Sequence, residues 1–419
     1  MTRLLVRKNA KSWYRLSLAF FYFLQGLVFA SWASRIPDIK NALGMNDAVL
    51  GTMLFFLPAG QLLTMAPVGW AVGKFGSRRT TIAAALSYPF TLILLGLAAS
   101  TTQLAACLFL FGLCLNLSNI SINTQAIGVE RLYRGRSIMA SFHGIWSLAG
   151  LVGAILGMLL VAWDVAPVFH FGIVYLVAFG VVFTMAPTML PRDRRPEHLK
   201  NESPHERQGK WIMPDRYLLI LGLIAFGAMA CEGTMFDWSN VYFEEVVHPP
   251  KSLARLGYVA AMFSMMCGRF MADRMITRFG VANILKVSGV TIAAGLLTAT
   301  LFPYLATATL GFMGVGLGVS AVVPIAYSLS GRSTVLRPGA AVAVVSTIGL
   351  LGFLLGPPVI GFVAYLLNLR WSLGLVAMAG LFITIFAQVI ARDIERPQRN
   401  DGHSPSSCNL LCGKQANES

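Results

Sequence analysis

The eleven residues SLAGLVGAILG, 147 to 157, recur 199 positions later as STIGLLGFLLG, 346 to 356. Gly150, Gly153 and Gly157 fall opposite Gly349, Gly352 and Gly356. Their spacing of i, i+3 and i+7 lines each triplet along one helix face. A second block keeps nearly the same offset, with VGKFG at 72 to 76 matched by ITRFG at 276 to 280, 204 residues later. The chain therefore reads as two related halves, divided by its longest hydrophilic connection, LPRDRRPEHLKNESPHERQGKWIMPDR at 190 to 216. A smooth glycine face seats a neighbouring helix closely and also lets one helix slide or rock against another.

The halves are built for lipid. Of 419 residues 56% are hydrophobic and 12% charged, against about 25% charged in a typical soluble domain. Crossing about 30 Å of hydrocarbon takes roughly 20 apolar residues in a helix. Twelve such runs are expected, at 16–36, 49–72, 80–99, 104–129, 138–162, 165–189, 217–243, 254–276, 281–302, 304–330, 340–366 and 370–391. The short alternating strands of a barrel are absent, so the spans are helical. The predicted fold is an all-α membrane protein, its 12 transmembrane helices in two pseudo-symmetric six-helix bundles. Residues 1–189 form the first bundle, 190–216 a cytoplasmic linker, 217–391 the second bundle, and 392–419 a disordered cytoplasmic tail. Six plus six with homologous halves is a transporter architecture.

The net charge of +15 raises the question of nucleic acid, and the distribution of charge answers it. With a cytoplasmic N-terminus, all 33 Lys and Arg but Arg35, Lys40, Lys251, Arg255 and Arg370 fall on the cytoplasmic side. That is the positive-inside pattern, with both termini cytoplasmic and no nucleic-acid partner expected. Cys107, Cys114, Cys231 and Cys267 lie in spans and Cys408 and Cys412 in the tail, so no structural disulfide is expected. The tail pair has no second Cys pair to complete a metal site, and a disordered tail is expected there. The basic start MTRLLVRKNAKSWYR has no small-residue cleavage site, and the first span is expected to be retained. Phosphate loop, His-Glu-x2-His and nucleophile elbow are all missing. Enzymatic chemistry and direct drive by ATP are not expected, nor is any cofactor.

The connection after the second span, GWAVGKFGSRR, resembles the hallmark loop of the major facilitator superfamily, with Gly69, Lys74, Gly76, Arg78 and Arg79 in place. Gly73 stands at the loop's Asp position and Ser77 at a basic one. GRFMADRMITRFG in the second half supplies Asp273 and Arg274. The resemblance implies that these loops clamp the cytoplasmic side in the outward-facing state, and the missing Asp weakens the first clamp. SWASRIPDIKNALGMNDAVLG at 31 to 51, HGIWSLAG at 143 to 150, EGTMFDW at 232 to 238 and LLGFLLGPPVIGF at 350 to 362 are similar to the bacterial fucose-permease-like or sugar-permease-like branch. That similarity implies a bacterial inner-membrane protein, expected as a monomer. Drug and proton antiporters of the superfamily carry Gly-x3-Gly-Pro in the fifth span; here the pattern is Gly352, Gly356 and Pro357 in the eleventh, which weighs against drug efflux.

Polar residues inside spans are expensive and point to function. Glu232 sits roughly 24 Å from one end of span seven and 18 Å from the other, at about 1.5 Å per residue. It reads as a proton-coupling or solute-binding carboxylate, the alternative being a bonded structural Glu. Asp237 lies nearer the outer rim, about 140° around the helix, as a coupling group or as a structural partner of Arg35. Trp238 reads as a sugar-stacking platform or an interfacial anchor. In span four, Asn116, Asn119 and Asn123 form one stripe that continues to Glu130, and Ser118, Ser121 and Gln125 form another nearly opposite. Periodicity alone leaves open which stripe lines the pathway. Amides suit hydroxylated solutes, so Asn119 and Asn123 are solute candidates, with interhelical bonding as the alternative. Gln25 in span one and Tyr327 in span ten join them, while Gln61 in span two is an isolated polar position.

His143, on one face with Ser147 and Gly150, is a proton-relay candidate or an interfacial His. Glu130 reads as a cytoplasmic-end gate beside Arg131, Arg134 and Arg136. Arg35 sits at the outer mouth, where Pro37 is expected to end the first helix. Lys74, Arg78, Asp273 and Arg274 complete the gating set. The expected function is secondary active transport of a small polar, sugar-like solute by alternating access and proton symport, with solute, protons and the bilayer as partners. Proton-coupled efflux of a drug or metabolite, and a non-transporting receptor on a transporter fold, are the alternatives.

Overall fold

The computed structural model of the chain describes residues 2–133, 138–191, 215–331, 333, 336 and 338–395. The interior of the linker and the tail beyond Glu395 therefore lie outside the described residues, as do Arg134 and Arg136. The first half comprises α1 (Thr2–Ala42), α2 (Asp47–Leu63), α3 (Met65–Phe75), α4 (Ser77–Gly96), α5 (Thr101–Glu130), α6 (Met139–Ala162) and α7 (Pro167–Met185). The second comprises α8 (Arg216–Asp237), the short α9 (Ser239–Tyr242), α10 (Leu256–Phe279), α11 (Val281–Leu301), α12 (Leu305–Ser330), α13 (Pro338–Leu366) and α14 (Leu369–Glu395). No strand occurs among the described residues.

Among the described residues ten helices are long and apolar enough to cross a membrane, or eleven spans where α2 and α3, bent by 47°, count as one. The remaining long helix, α10, is the polar exception: it carries Arg269, Asp273, Arg274 and Arg278. The ends of the helices follow their sequence. Asn46 caps α2 by accepting from the Val49 amide at 2.9 Å, Ser100 caps α5, and Asp215 caps α8. Gly76 and Gly280, 204 residues apart, both break the chain at φ of 83° and 78°, a backbone region that side chains strain to adopt.

The halves share a packing plan. In the first, α1 packs on α6, and in the second α8 packs on α13. A Cβ at Gly153 would lie 2.7 Å from Ala30 Cβ and 3.2 Å from the Leu27 oxygen, and one at Gly352 would collide with the Phe226 oxygen. Leu27 and Phe226 are 199 residues apart, as are the two glycines, so the repeat holds at the level of contacts. These faces seat helices within each half. Only Gly150 looks across to the other, with Met262 Sδ at 3.8 Å from a Cβ placed there. The halves meet instead along α2 with α13 and α6 with α10. At the first crossing a Cβ at Gly51 would lie 2.6 Å from the Pro357 oxygen and 3.0 Å from Gly361 Cα.

Pro37 does not end the first helix, which continues to Ala42. Proline removes one amide and leaves the carbonyl four residues earlier without a donor, so a helix persists through it only where that oxygen finds another partner. Here Asn240 of the second half donates to the Ala33 oxygen at 2.9 Å. Large apolar side chains such as Leu176, Phe183, Leu310 and Leu366 are exposed on the outer flanks, as contact with acyl chains demands.

Candidate functional site

Two polar zones join the halves. One lies near the middle of the spans. The other lies at what is termed here the far face, the side of the loops that follow α1, α6 and α9.

The middle zone begins with span four. Asn116 turns to α2, donating to the Gln61 oxygen at 3.1 Å and to Thr64 Oγ1 at 3.2 Å. Asn119 and Asn123 stay half-exposed and face α1: Gln25 Nε2 donates to Asn119 Oδ1 and the Tyr22 hydroxyl to Asn123 Oδ1, each at 2.7 Å. The opposite stripe is buried in its own bundle, where Gln125 donates to Ser77 Oγ at 2.8 Å and to the Leu190 oxygen. The stripe that keeps an accessible surface is therefore the asparagine one. Its Asn119 and Asn123 amides also accept interhelical bonds from Gln25 and Tyr22.

From Tyr22 the polar surface runs to the second half. His143 stands edge-on to the Tyr22 ring at 5.8 Å, exposed, and close enough to Arg269 to feel its charge. Arg269 is the group that spacing arguments passed over. It lies about 20 Å from one end of α10 and 15 Å from the other, at about 1.5 Å per residue. Its guanidinium donates to Glu232 Oε1 and, across to the first half, to Ser147 Oγ, both at 2.8 Å. It also lies over the Trp146 ring, 5.6 Å from the centroid, a favourable cation–π position. Arg269, counted among the cytoplasmic-side charges by the positive-inside pattern, lies well inside the span, as its position within run 254–276 indicates.

Glu232 thus has a partner. Its side chain is 9% exposed and that of Arg269 22%. Removing one member of such a pair strands the other charge, at a cost of about 3–5 kcal/mol when fully buried. Tyr327, half-buried on α12, lies near enough to sense the Glu232 charge. Phe29, Trp146, Phe236 and Phe353 build an aromatic wall beside the pair, with Phe29 and Phe236 in edge contact at 5.0 Å. Trp238 is not part of that wall. It is fully enclosed, and its Nε1 has no hydrogen-bond partner among the described residues. Asp237 makes no hydrogen bond or ion pair among the described residues and lies near Tyr258, whose buried hydroxyl also lacks a partner.

At the far face the polar ties are dense. Arg255, 1% exposed, donates to Asp38 Oδ2 and to the Ser34 oxygen, each at 2.7 Å, and pairs with Glu244 of its own half. Lys40 bonds both Asp47 and Glu245, and Lys251 pairs with Asp164. Burial pushes the Glu245 carboxyl above its ordinary range, against the opposing pull of Lys40. Arg35 is not the partner of Asp237. Its Nε donates to His170 Nδ1 at 3.1 Å and its NH1 pairs with Asp38 at 3.2 Å, both within the first half. Arg255, Asp38 and Asn240 bridge the halves in its place.

The opposite end is fastened differently. Glu130 Oε2 accepts from the amides of Ile138 and Met139 at 2.9 and 3.0 Å and so caps α6. Arg78 donates to the Ala186 oxygen in its own half. Lys74 lies over the Trp70 ring at 4.6 Å. Asp273 and Arg274 are exposed and make no ion pair among the described residues. Every hydrogen bond and ion pair between the halves whose two partners are both described lies at the far face or in the middle zone.

Comparison with known proteins agrees with this architecture. The family profile described as Major Facilitator Superfamily matches residues 18–335. An uncharacterized MFS-type transporter of Yersinia pestis is 31% identical over 88% of the chain and 94% of its own length. The membrane protein MosC of Rhizobium meliloti is 32% identical over 88% of each. Among solved structures, the nucleoside transporter NupG superimposes with a TM-score of 0.72 at 14% identity, over 90% of the chain and 99% of its own. The transporter FucP in the outward conformation gives 0.63 at 15% identity, over 89% and 97%. At these identities the structural matches establish the fold.

Proposed function

The chain belongs to the major facilitator superfamily, and on that premise we propose that it carries a small polar, sugar-like solute by alternating access in symport with protons. The observation that supports this most is the Arg269–Glu232 pair, tied to the other half through Ser147, with His143 near Arg269 and in ring contact with Tyr22, which bonds the half-exposed Asn123. Glu232 is a carboxylate whose protonation would release Arg269 and, with it, the bond to Ser147 of the other half. Coupling needs such a link between proton occupancy and the contact of two bundles. The face opposite the far face, where α1 begins and α14 ends, is the cytoplasmic side in this proposal. The conformation is then inward-facing, with the outer side latched and the clamp residues Lys74, Asp273 and Arg274 idle until the cytoplasmic side closes. The bundles are assigned to residues 1–189 and 217–391.

Purified protein in liposomes containing a pH dye tests the proposal. With no imposed proton gradient, external pools of sugars and polyols, including sugar acids, should acidify the lumen. Glu232→Gln should abolish that acidification while leaving solute exchange. Alkalinisation would mark proton exchange and efflux, and full uphill uptake by Glu232→Gln would remove Glu232 from the coupling.

A further inference from the structure

We infer that the solute is an anion, a hydroxylated carboxylate of the sugar-acid class, and that its carboxylate takes the place of Glu232 on Arg269 when Glu232 accepts a proton. The inference rests on the proton-symport reading and adds to it the charge of the solute.

Charge neutrality inside a span fixes the charge of the solute. Arg269 and Glu232 together are neutral, and the described structure gives Arg269 no other anionic partner. A guanidinium is always charged and has five donors. One from NH1 goes to Ser147 and one from NH2 to Glu232. Protonating Glu232 to carry a neutral sugar would leave Arg269, partly buried and well inside a span, without a counter-charge, a costly state at that depth. A carboxylate arriving with the proton restores neutrality, and the planar fork of Arg269 matches it in a bidentate pair.

The surroundings of Glu232 supply no substitute. On α12 it faces Tyr327. On α10 it faces Arg269, and beyond that on α6 stand His143, near Arg269, and Ser147. On its own helix Asp237 lies further along. The helices α13 and α14 present Ile348, Phe353 and Ile383 to α8. The proton moves from water to the Glu232 carboxylate, the Arg269–Glu232 ion pair opens, and the solute carboxylate closes a new one. For a monoanion moved with one proton no net charge crosses. The hydroxyls of the solute would meet the Gln25–Asn119 and Tyr22–Asn123 amides and hydroxyl, and its apolar edge the Trp146 ring.

The test uses the full chain in liposomes holding a pH dye, with D-gluconate and D-glucuronate as probes against D-glucose. Both acids should acidify the lumen and glucose should not, at a rate unchanged by a potassium diffusion potential. E232Q should bind labelled gluconate with an affinity independent of pH. Because R269Q alone strands Glu232 and threatens folding, the neutral pair R269Q/E232Q is compared with E232Q, and it should lose gluconate binding at least tenfold while keeping its thermal transition. Acidification by glucose and not by the acids would overturn the inference and leave proton symport standing. Uptake of the acids driven by voltage with no acidification would overturn both. Silence toward both acids, or undiminished gluconate binding by the double variant, would also overturn it.

Discussion

Asn240 donates its side-chain amide to the carbonyl oxygen of Ala33 at 2.9 Å, and Ala33 is the residue that Pro37 deprives of its helical donor. One half thus fastens to a vacancy in the backbone of the other. Arg255 adds a bond to the adjacent Ser34 oxygen at 2.7 Å. Pro37→Ala should supply a new amide that competes for the Ala33 oxygen and weakens the latch by about 1 kcal/mol, the net worth of a hydrogen bond. That is roughly a fivefold shift toward the far-face-open state. Electron–electron resonance distances between labels at Thr102→Cys and Tyr304→Cys should lengthen. Asn240→Ala should do the same, and the two changes together should be less than additive.

The ion pairs across the far face are unequal. Lys251 and Asp164 are 57% and 75% exposed, and such pairs contribute about 0–1 kcal/mol. Asp164→Asn is expected to leave the label distance and the melting temperature unchanged. Arg255 is 1% exposed, so Asp38→Asn should open the far face by about 2 kcal/mol or more, with Glu244 retaining part of the compensation. Equal responses to the two substitutions would contradict this ranking.

The Glu245 carboxyl gives the latch a pH dependence. Its affinity for a proton is raised in the closed state by burial, and it returns to the ordinary value of 4.5 when hydrated. A group that binds its proton more tightly when closed favours closure as pH falls, and that contribution is lost as pH rises through the raised value. The far-face distance should therefore shorten on acidification from about pH 7 toward about pH 4.5. Glu245→Gln should flatten the profile.

The glycines separate by what a methyl group would meet. Gly352→Ala drives Cβ into the backbone oxygen of Phe226, and Gly51→Ala into that of Pro357. Each should cost about 1–3 kcal/mol as overpacking. At Gly150 and Gly356 the nearest atoms are 3.8 and 4.0 Å away, and Ala should be neutral or slightly stabilising through helix propensity. Thermal unfolding in detergent checks all four. Gly51→Ala should in addition open the far face, because its clash lies between the halves.

Much of the site was legible because membranes penalise polar groups in proportion to depth. Glu232, Gln25, Asn119 and Asn123 stand out against apolar runs, and the structure brings the last three together through Gln25–Asn119 and Tyr22–Asn123. Arg269 was overlooked because α10 carries three further charges toward its end and reads as the flank of a span. Tyr22 and Trp146 were hidden for the opposite reason, since aromatic residues are unremarked among apolar ones. Arg35 and Trp238 carried strong local signals, and their environments assign them elsewhere, to His170 and Asp38 and to an enclosed interior.

Sequence by itself determined that the chain is helical, spans a membrane and is doubled. Those properties follow from local composition and from periodicity, which act within one helix. Which stripe of span four keeps an open surface, that Glu232 meets Arg269, and that the helix continues through Pro37 with the freed Ala33 carbonyl bonded by Asn240 were decided only by the tertiary structure. Each depends on the rotation and depth of one helix against another, and neighbours 37 or 207 residues away leave no periodic trace in the chain.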